Sequence, residues 1–583
     1  MKNRKFILSI LIFFGIAISA YSVDLNSSVK YDKLFKDRFV YFDQSLASDK
    51  NFELAKKVIL DAKRLGFNGI VIEQEWLYSR LSHKSKILDK VVSYMSELEK
   101  LAHKNGLELI AMHYRADTAN TVVHDNDSNN PFYKKDFDFS EADKEVSLFK
   151  VDGDVALPVR NIQTAKKNLI SNTYDFNNIK LETEYKLTMD ATTKDYGSSE
   201  LKVSVLDADH NGVNGKVIFG VNKYFKNIEP TKEHGKYVVY FNSLDHKNQK
   251  GKIKVWIPDA DNITINSLTL EEAGFNKEVN VYRDSNKIEL KSEDGNKTYQ
   301  GGVDFELGDE KIDLLSDEIK KEKFLKLTWY PVINTSLDDQ LPFTDICADE
   351  KLYYDIILDQ TKRINKAFNN RVDAYALAID EWRSAGWDER CLDLYKDELK
   401  SENITKEKYS GGDYIGISTK RLVERISEDQ NRSDLTFYMM SDMFDPNFNG
   451  KDPYMGVKNG ALRAYKYLPK DKVVMFNWFV NPYEPGMEDK TLEEHLNSVK
   501  HFADQGIKQI ISGYHSDMRN LDRNIAVYKE SPKYVQDSIV GFMYLVWIDE
   551  RGAGYDDMPK VVERICKDLP GKWPEDACKR VLK

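Results

Sequence analysis

The chain has 583 residues, 41% of them apolar and 31% charged, with a net charge of −10. That composition supplies sizeable cores, argues against wholesale disorder and suits two or three domains. The mild acidity and the lack of a basic stripe exclude nucleic acid as a partner.

In chain order, Lys2, Arg4 and Lys5 precede the apolar run "FILSILIFFGIAI", and small residues follow at Ser19, Ala20 and Ser22. This pattern predicts a secretory leader over 1–22, with export to a periplasm or the exterior and no membrane anchor after cleavage. Export gives meaning to Cys347, Cys391, Cys566 and Cys578, an even set open to three pairings. Cys566 with Cys578 would close a short terminal loop, and Cys347 with Cys391 would clip the segment around residue 380. Free buried thiols are the alternative, and the spacings fit no zinc site.

Strand-then-helix units open the mature chain. "RFVYFDQS", "NGIVIEQEW" and "LELIAMHYR" are short apolar runs closed by polar or aromatic residues, separated by helical stretches ending at Gly66 and Gly106. From about 130 to 320 the helical period gives way to alternating segments such as "ELKVSVLDA" and "GKYVVYFNS", parted by turn residues. They predict an antiparallel β-sandwich of jelly-roll type inserted into the first domain. Within it "DADHNG" starts like a calcium loop, but position twelve is Ile218 and the frame fails.

The strand-helix rhythm returns with "FLKLTWYPV", "AYALAIDEW", "LTFYMMSDMF", "KVVMFNWFV", "IKQIISGYH" and "SIVGFMYLVW". The expected architecture is a (β/α)8 barrel whose first part spans 23–129 and second part 321–583, interrupted by the sandwich over 130–320. This count gives nine strands, one too many, and 324–330 is taken as the extra piece.

In such barrels the C-terminal strand ends form the active face. Here they carry acids (Asp43, Glu73, Glu75, Asp380, Glu381, Asp442, Asp549, Glu550), large aromatics (Trp76, Trp329, Tyr330, Trp478, Tyr514, Trp547) and His113, Arg115 and His515. No His-rich cluster and no Ser-centred elbow is present, so no cofactor or metal is called for. Aromatic faces that stack on sugar rings and carboxylates that hold hydroxyls point to an oligosaccharide or glycoconjugate substrate. Adjacent acids such as Asp380 and Glu381 point to opposite faces on a regular strand, but a bend at the strand end brings both to the mouth. Like charges so close raise one pKa, which suits a proton donor.

The pair at Asp380-Glu381, with "MMSDMFDP", "FNWF", "ISGYH" and "GFMYLVWIDE" in later strands, resembles glycoside hydrolase family 20, the β-N-acetylhexosaminidase type. The resemblance implies that Glu381 is the general acid/base. It implies that Asp380 orients a substrate acetamido group, which itself attacks the anomeric carbon. It implies that Trp478, Tyr514 and Trp547 wall the pocket, that Asp549 or Glu550 contacts outer hydroxyls, and that His113 is the third-strand candidate. Asp442 is a hydroxyl ligand, a second catalytic acid or a loop cap, and Arg383 contacts substrate or pairs with a carboxylate. The sequence departs from the family in Ala378-Ile379 before the pair and in lacking a clear His-Gly element. Two alternatives stand beside this reading: a conventional two-carboxylate glycosidase, and a glycan-binding protein without turnover.

Overall fold

The computed structural model describes residues 34–78, 85–115, 145–164, 166–168, 173–180, 183–193, 201–207, 222–225, 235–243, 252–257, 263–273, 275, 288–308, 310–329, 334–335, 343–344, 351–372, 374–379, 382, 385–386, 395–405, 408–447, 457–460, 463–478, 488–515, 518–547 and 553–583. The expected leader, Cys347 and Cys391 lie outside the described residues.

Eight strands close a parallel barrel: β1 (Asp37–Phe42), β2 (Gly69–Ile72), β3 (Glu108–Arg115), β4 (Ala374–Ala378), β5 (Thr436–Met440), β6 (Val473–Asn477), β7 (Lys508–Tyr514) and β8 (Ile539–Leu545). Each pairs with its neighbours in this order, and β1 closes the ring on β8 through Asp37↔Gly541 to Val40↔Tyr544. The strands are apolar at nearly every position because both faces are covered, by side chains inside and helices outside. Inside, Tyr438 stacks on Phe476 at 5.1 Å and meets Phe39 edge-on at 5.3 Å.

The crossovers carry α1 (Asp49–Arg64), α2 (Lys86–Lys104), α3 (Lys351–Ala367), α4 (Gly411–Asp429), α5 (Glu488–Asp504) and α6 (Met518–Glu530), and α7 (Met558–Asp568) follows β8. The described part of the β5–β6 crossover holds 3₁₀ turns at Asp442–Phe444 and Ala464–Tyr467. α1 shows the logic of the set. Phe52, Ala55, Val58, Ile59 and Ala62 recur at helical spacing and are the residues it buries. Its end is set by Gly66, at φ +86°, where a Cβ would stand 2.9 Å from that of Ala577. At α4, Ser410 and Asp413 form a reciprocal capping box.

Between β3 and α3 the chain forms antiparallel sheets with cores of their own. A five-stranded and a four-stranded sheet share one core, including Phe176, Leu187, Met189, Phe241, Val255 and Leu270, and so make the expected sandwich. A separate seven-stranded sheet packs Phe149, Leu290, Phe305, Ile312, Leu325, Leu327 and Trp329. Phe324–Trp329 lies in this sheet, antiparallel to Glu145–Asp152 and Glu289–Ser292. It is the surplus ninth strand, and Trp329 sits in that sheet's core rather than at the barrel mouth. Lys326, exposed between buried Leu325 and Leu327, is the mark of a strand covered on one face only.

The C-terminal residues pack against the opposite end of the barrel from the strand ends. Trp573 donates to the Leu65 carbonyl at 2.7 Å and meets Phe67 edge-on. A disulfide joins Cys566 in α7 to Cys578, as one of the expected pairings has it.

Candidate active site

At the C-terminal strand ends lies a hollow, partly open to solvent. Its wall is Tyr41, Glu73, Met112, Ala378, Met440, Trp478, Leu545 and Trp547. Among the described residues, every strand but β7 contributes, directly or by the residues just past its end. An apolar concavity with a few polar groups, at this end of such a barrel, is where a ligand is expected.

Trp478 follows β6 directly and is half-buried. Its indole N–H donates to the carboxylate of Asp442 at 2.5 Å. Asp442 opens the 3₁₀ turn after β5 and is 1% exposed. Asp442 thus stands behind an aromatic wall and holds it. Trp547, two residues past β8, is 38% exposed, and its backbone N–H donates to His515 Nδ1 at 3.4 Å. The backbone N–H of His515 in turn donates to the Leu545 carbonyl at 3.0 Å, which ties the end of β7 to that of β8. Tyr514 is half-buried and edge-on to His515 at 4.8 Å, outside the wall of the hollow.

His113 is placed differently from expectation. On β3, Met112 faces the hollow and His113, next along, faces the other way, as strand alternation requires. Its imidazole is fully buried, with Nε2 2.8 Å from Thr361 Oγ1 on α3. Burial pulls its pKa down from 6.5 to about 3, so the ring is neutral at physiological pH. The described contacts of His113 thus lie between barrel and helix, away from the described wall of the hollow.

Asp380, Glu381, Arg383, Asp549 and Glu550 lie outside the described residues. The chain on either side of the acidic pair is described. Ala378, the last residue of β4, is in the wall of the hollow. There the ladder between β3 and β4 shifts register, with Leu377 opposite His113 and Ala378 opposite Arg115. The extra residue, Tyr114, lies in β3, so the bulge belongs to β3 rather than to the strand that leads into the pair. The Ile379 N–H then returns to the Leu377 carbonyl at 2.9 Å, a three-residue turn. Ile379 is fully buried, and so, at 2% exposure, is Trp382, which packs edge-on against Tyr414 of α4 at 5.4 Å. Next, Gly386 (φ +87°) presses on Gly411 at the start of α4 so closely that a Cβ would stand 2.5 Å from the Gly411 Cα. The segment after β4 is thus pinned before and after the pair.

Glu73 and its partner Tyr41 are the site residues that the sequence did not single out. Glu73 stood among the strand-end acids, with nothing to rank it above Asp43 or Glu75. Tyr41 Oη donates to Glu73 Oε2. Among the described residues, no group of three or more His, Cys, Asp or Glu is arranged to hold a metal ion, and no helix is long and apolar enough to cross a membrane.

No family model matches the chain, and no curated protein matches it. Among solved structures it is similar to the pneumococcal exo-beta-D-N-acetylglucosaminidase StrH, with its GH20 catalytic modules, at TM-score 0.35 and 8% identity, over 93% of this chain and 86% of that one. It is similar to the PgaB (BpsB) glycoside hydrolase domain from Bordetella bronchiseptica at TM-score 0.25 and 11% identity, over 41% and 69%. It is similar also to a pyruvate kinase of Cryptosporidium parvum at TM-score 0.32 and 10% identity, over 93% and 73%. Likeness at this level, extending to a kinase, carries no argument about activity; the barrel is established by its own strand pairing.

Proposed function

We propose that the protein is an exported glycoside hydrolase whose substrate enters the hollow at the strand ends. One observation carries the reading: Ala378, two residues before the Asp380-Glu381 pair, shares a wall with Trp478, Trp547 and Glu73. An indole face with a carboxylate beside it is the chemistry that holds a sugar ring and its hydroxyls. The disulfide between Cys566 and Cys578 supports export, because such bonds persist in oxidising compartments.

In this reading Glu381 protonates the glycosidic oxygen as the bond to the anomeric carbon breaks, and later takes a proton from the water that attacks that carbon. Asp380 braces a 2-acetamido group whose carbonyl oxygen closes on the anomeric carbon between the two steps. The substrate is an N-acetylhexosamine-containing glycan and the configuration is retained. The pinning of the chain at Ile379, Trp382 and Gly386 supports this assignment, because a proton donor works only when held within a few tenths of an ångström of its place.

The test is a panel of aryl glycosides with and without N-acetyl groups, run on the wild type and on Glu381→Gln. We expect turnover of an N-acetylated substrate, tight inhibition by a thiazoline analogue of the cyclic intermediate, and a loss of about 10²–10⁴ in kcat in the variant with unchanged melting. Near-full activity of Glu381→Gln would remove that residue from the mechanism. Turnover without thiazoline inhibition would move the proposal to the two-carboxylate type.

A further inference from the structure

β6 ends at Asn477, and Trp478 follows it into the wall of the hollow. Phe476 stacks inside the barrel, so strand alternation turns Asn477 outward, toward α5. There its Nδ2 donates twice, to Ser498 Oγ on α5 at 2.9 Å and to Gln509 Oε1 on β7 at 3.0 Å. The Ser498 hydroxyl donates onward to one carboxylate oxygen of Asp445, just past the 3₁₀ turn that follows β5. The other Asp445 oxygen accepts from the Asn447 backbone N–H at 2.8 Å. Gln509 Nε2 donates to the Val499 carbonyl of α5 at 2.7 Å and to Ser538 Oγ, just before β8, at 2.9 Å. Asn477, Ser498, Gln509 and Asp445 are all fully buried. Hydrogen bonds so placed hold their groups firmly, because a broken one finds no water to replace it.

The turn after β5 therefore grips the end of β6 twice. Asp442 holds the tip of the Trp478 indole, and Asp445, three residues on, holds through Ser498 the residue directly before that tryptophan. We propose that Asp445, Ser498 and Asn477 are positioning residues for Trp478, setting where its indole meets a sugar ring. This rests on the glycosidase reading of the same hollow. A tryptophan side chain turns about two bonds, and its face is fixed only when backbone and ring are both held. Asp442 serves the ring, and the buried chain through Asn477 serves the backbone. A wall set in advance gives up little freedom when the sugar arrives, and that saving appears as affinity. Cutting the chain at Ser498 leaves the indole tied at its tip alone, on a strand end that can shift.

The experiment measures kcat and KM on the best aryl glycoside, and acrylamide quenching of tryptophan emission, for the wild type, Ser498→Ala, Trp478→Ala and the double variant. Ser498→Ala is expected to raise KM about fivefold with kcat within about threefold, and to make the emission quench more steeply. Both changes should vanish in the Trp478→Ala background, because Ser498 acts through that indole. Asp445→Asn keeps an acceptor for the Ser498 hydroxyl and should show the same changes at smaller size, which tests the chain even if Ser498→Ala fails to fold. Wild-type KM and quenching in Ser498→Ala, or a rise in KM that persists at full size without Trp478, would overturn the inference and leave the hydrolase reading standing on Glu381→Gln. Absence of turnover by the wild type across the whole panel would remove the hydrolase reading and with it the effect on sugar binding, while the quenching comparison would still uphold or overturn the tether to Trp478.

Discussion

The indole of Trp478, just past β6, is anchored by the carboxylate of Asp442, just past β5, an acid that is itself almost wholly buried. The sequence left Asp442 open as sugar ligand, second acid or cap, and its contact gives it a fourth task, holding an aromatic wall. Asp442→Ala removes a charge-assisted bond of about 1.5–3 kcal/mol and frees the indole to rotate. The expected result is a KM about ten times higher with kcat within about threefold, since the wall binds ground state and transition state alike. Asp442→Asn keeps an acceptor oxygen and should fall between. A loss confined to kcat would instead make Asp442 a participant in the chemistry.

Much of this architecture is legible in the residues. β4 and β6, "AYALA" and "VVMFN", are apolar throughout because both faces are covered, and Gly66 and Gly106 mark helix ends by their positive φ. The ninth strand misleads because "FLKLTW" has the length and apolarity of a barrel strand; Lys326 in its middle is the signal that one face meets solvent. His113 misleads for a related reason. Period-two alternation says that Met112 and His113 face opposite ways, but not which of them faces the hollow; that is decided by the neighbouring strands. Glu73 is hidden more deeply. Several acids lie at strand ends, and Glu73, the described acid in the wall, is set by the ladder bond to Phe42 and the hydroxyl of Tyr41, both contributed by a different strand.

Gly386 offers a test of how tightly the segment after β4 is held. Gly386→Ala adds a Cβ at φ +87°, costing about 1–2 kcal/mol in backbone strain alone, and drives it against the Gly411 backbone. Since neither backbone gives way cheaply, the loop carrying the acidic pair must shift. We expect a lower melting temperature and a fall in kcat of about tenfold or more. Gly571→Ala is the control. It has φ +85° with nothing within 4 Å, so it should pay the strain and keep wild-type kcat.

The disulfide between Cys566 and Cys578, 12 positions apart in sequence, closes a short loop at the end of the barrel remote from the hollow. The loop includes Trp573, which seals the Leu65 carbonyl and packs on Phe67 and Phe542. Removing both thiols as Cys566→Ser with Cys578→Ser should cost about 2–4 kcal/mol of stability, read by urea denaturation. Activity at temperatures where the variant stays folded should be unchanged. A matching loss of kcat would show that this end of the barrel reaches the strand ends through the core.

Stability should fall with pH below about 6.5, and three histidines give the sign. Burial first of all lowers His113 and His495 to about 3 and His501 to about 4. In the unfolded chain these rings take a proton near pH 6.5, whereas the folded protein holds them neutral well below that. Their contribution is complete above pH 6.5 and is lost as pH falls toward the folded values, each by up to about 1.4 kcal/mol per pH unit. Asp37 and Asp445, whose carboxyls burial pushes up, act with the opposite sign. The clean measurement is therefore a difference. His113→Gln can keep a bond to Thr361 but cannot titrate. It should be less stable than the wild type at pH 7.5 by about 1–2 kcal/mol, and the gap should shrink by about 2 kcal/mol, closing or reversing, on going to pH 5. A gap that stays constant across that range would mean that His113 exchanges its proton in the folded protein, and that the ring is reached by water.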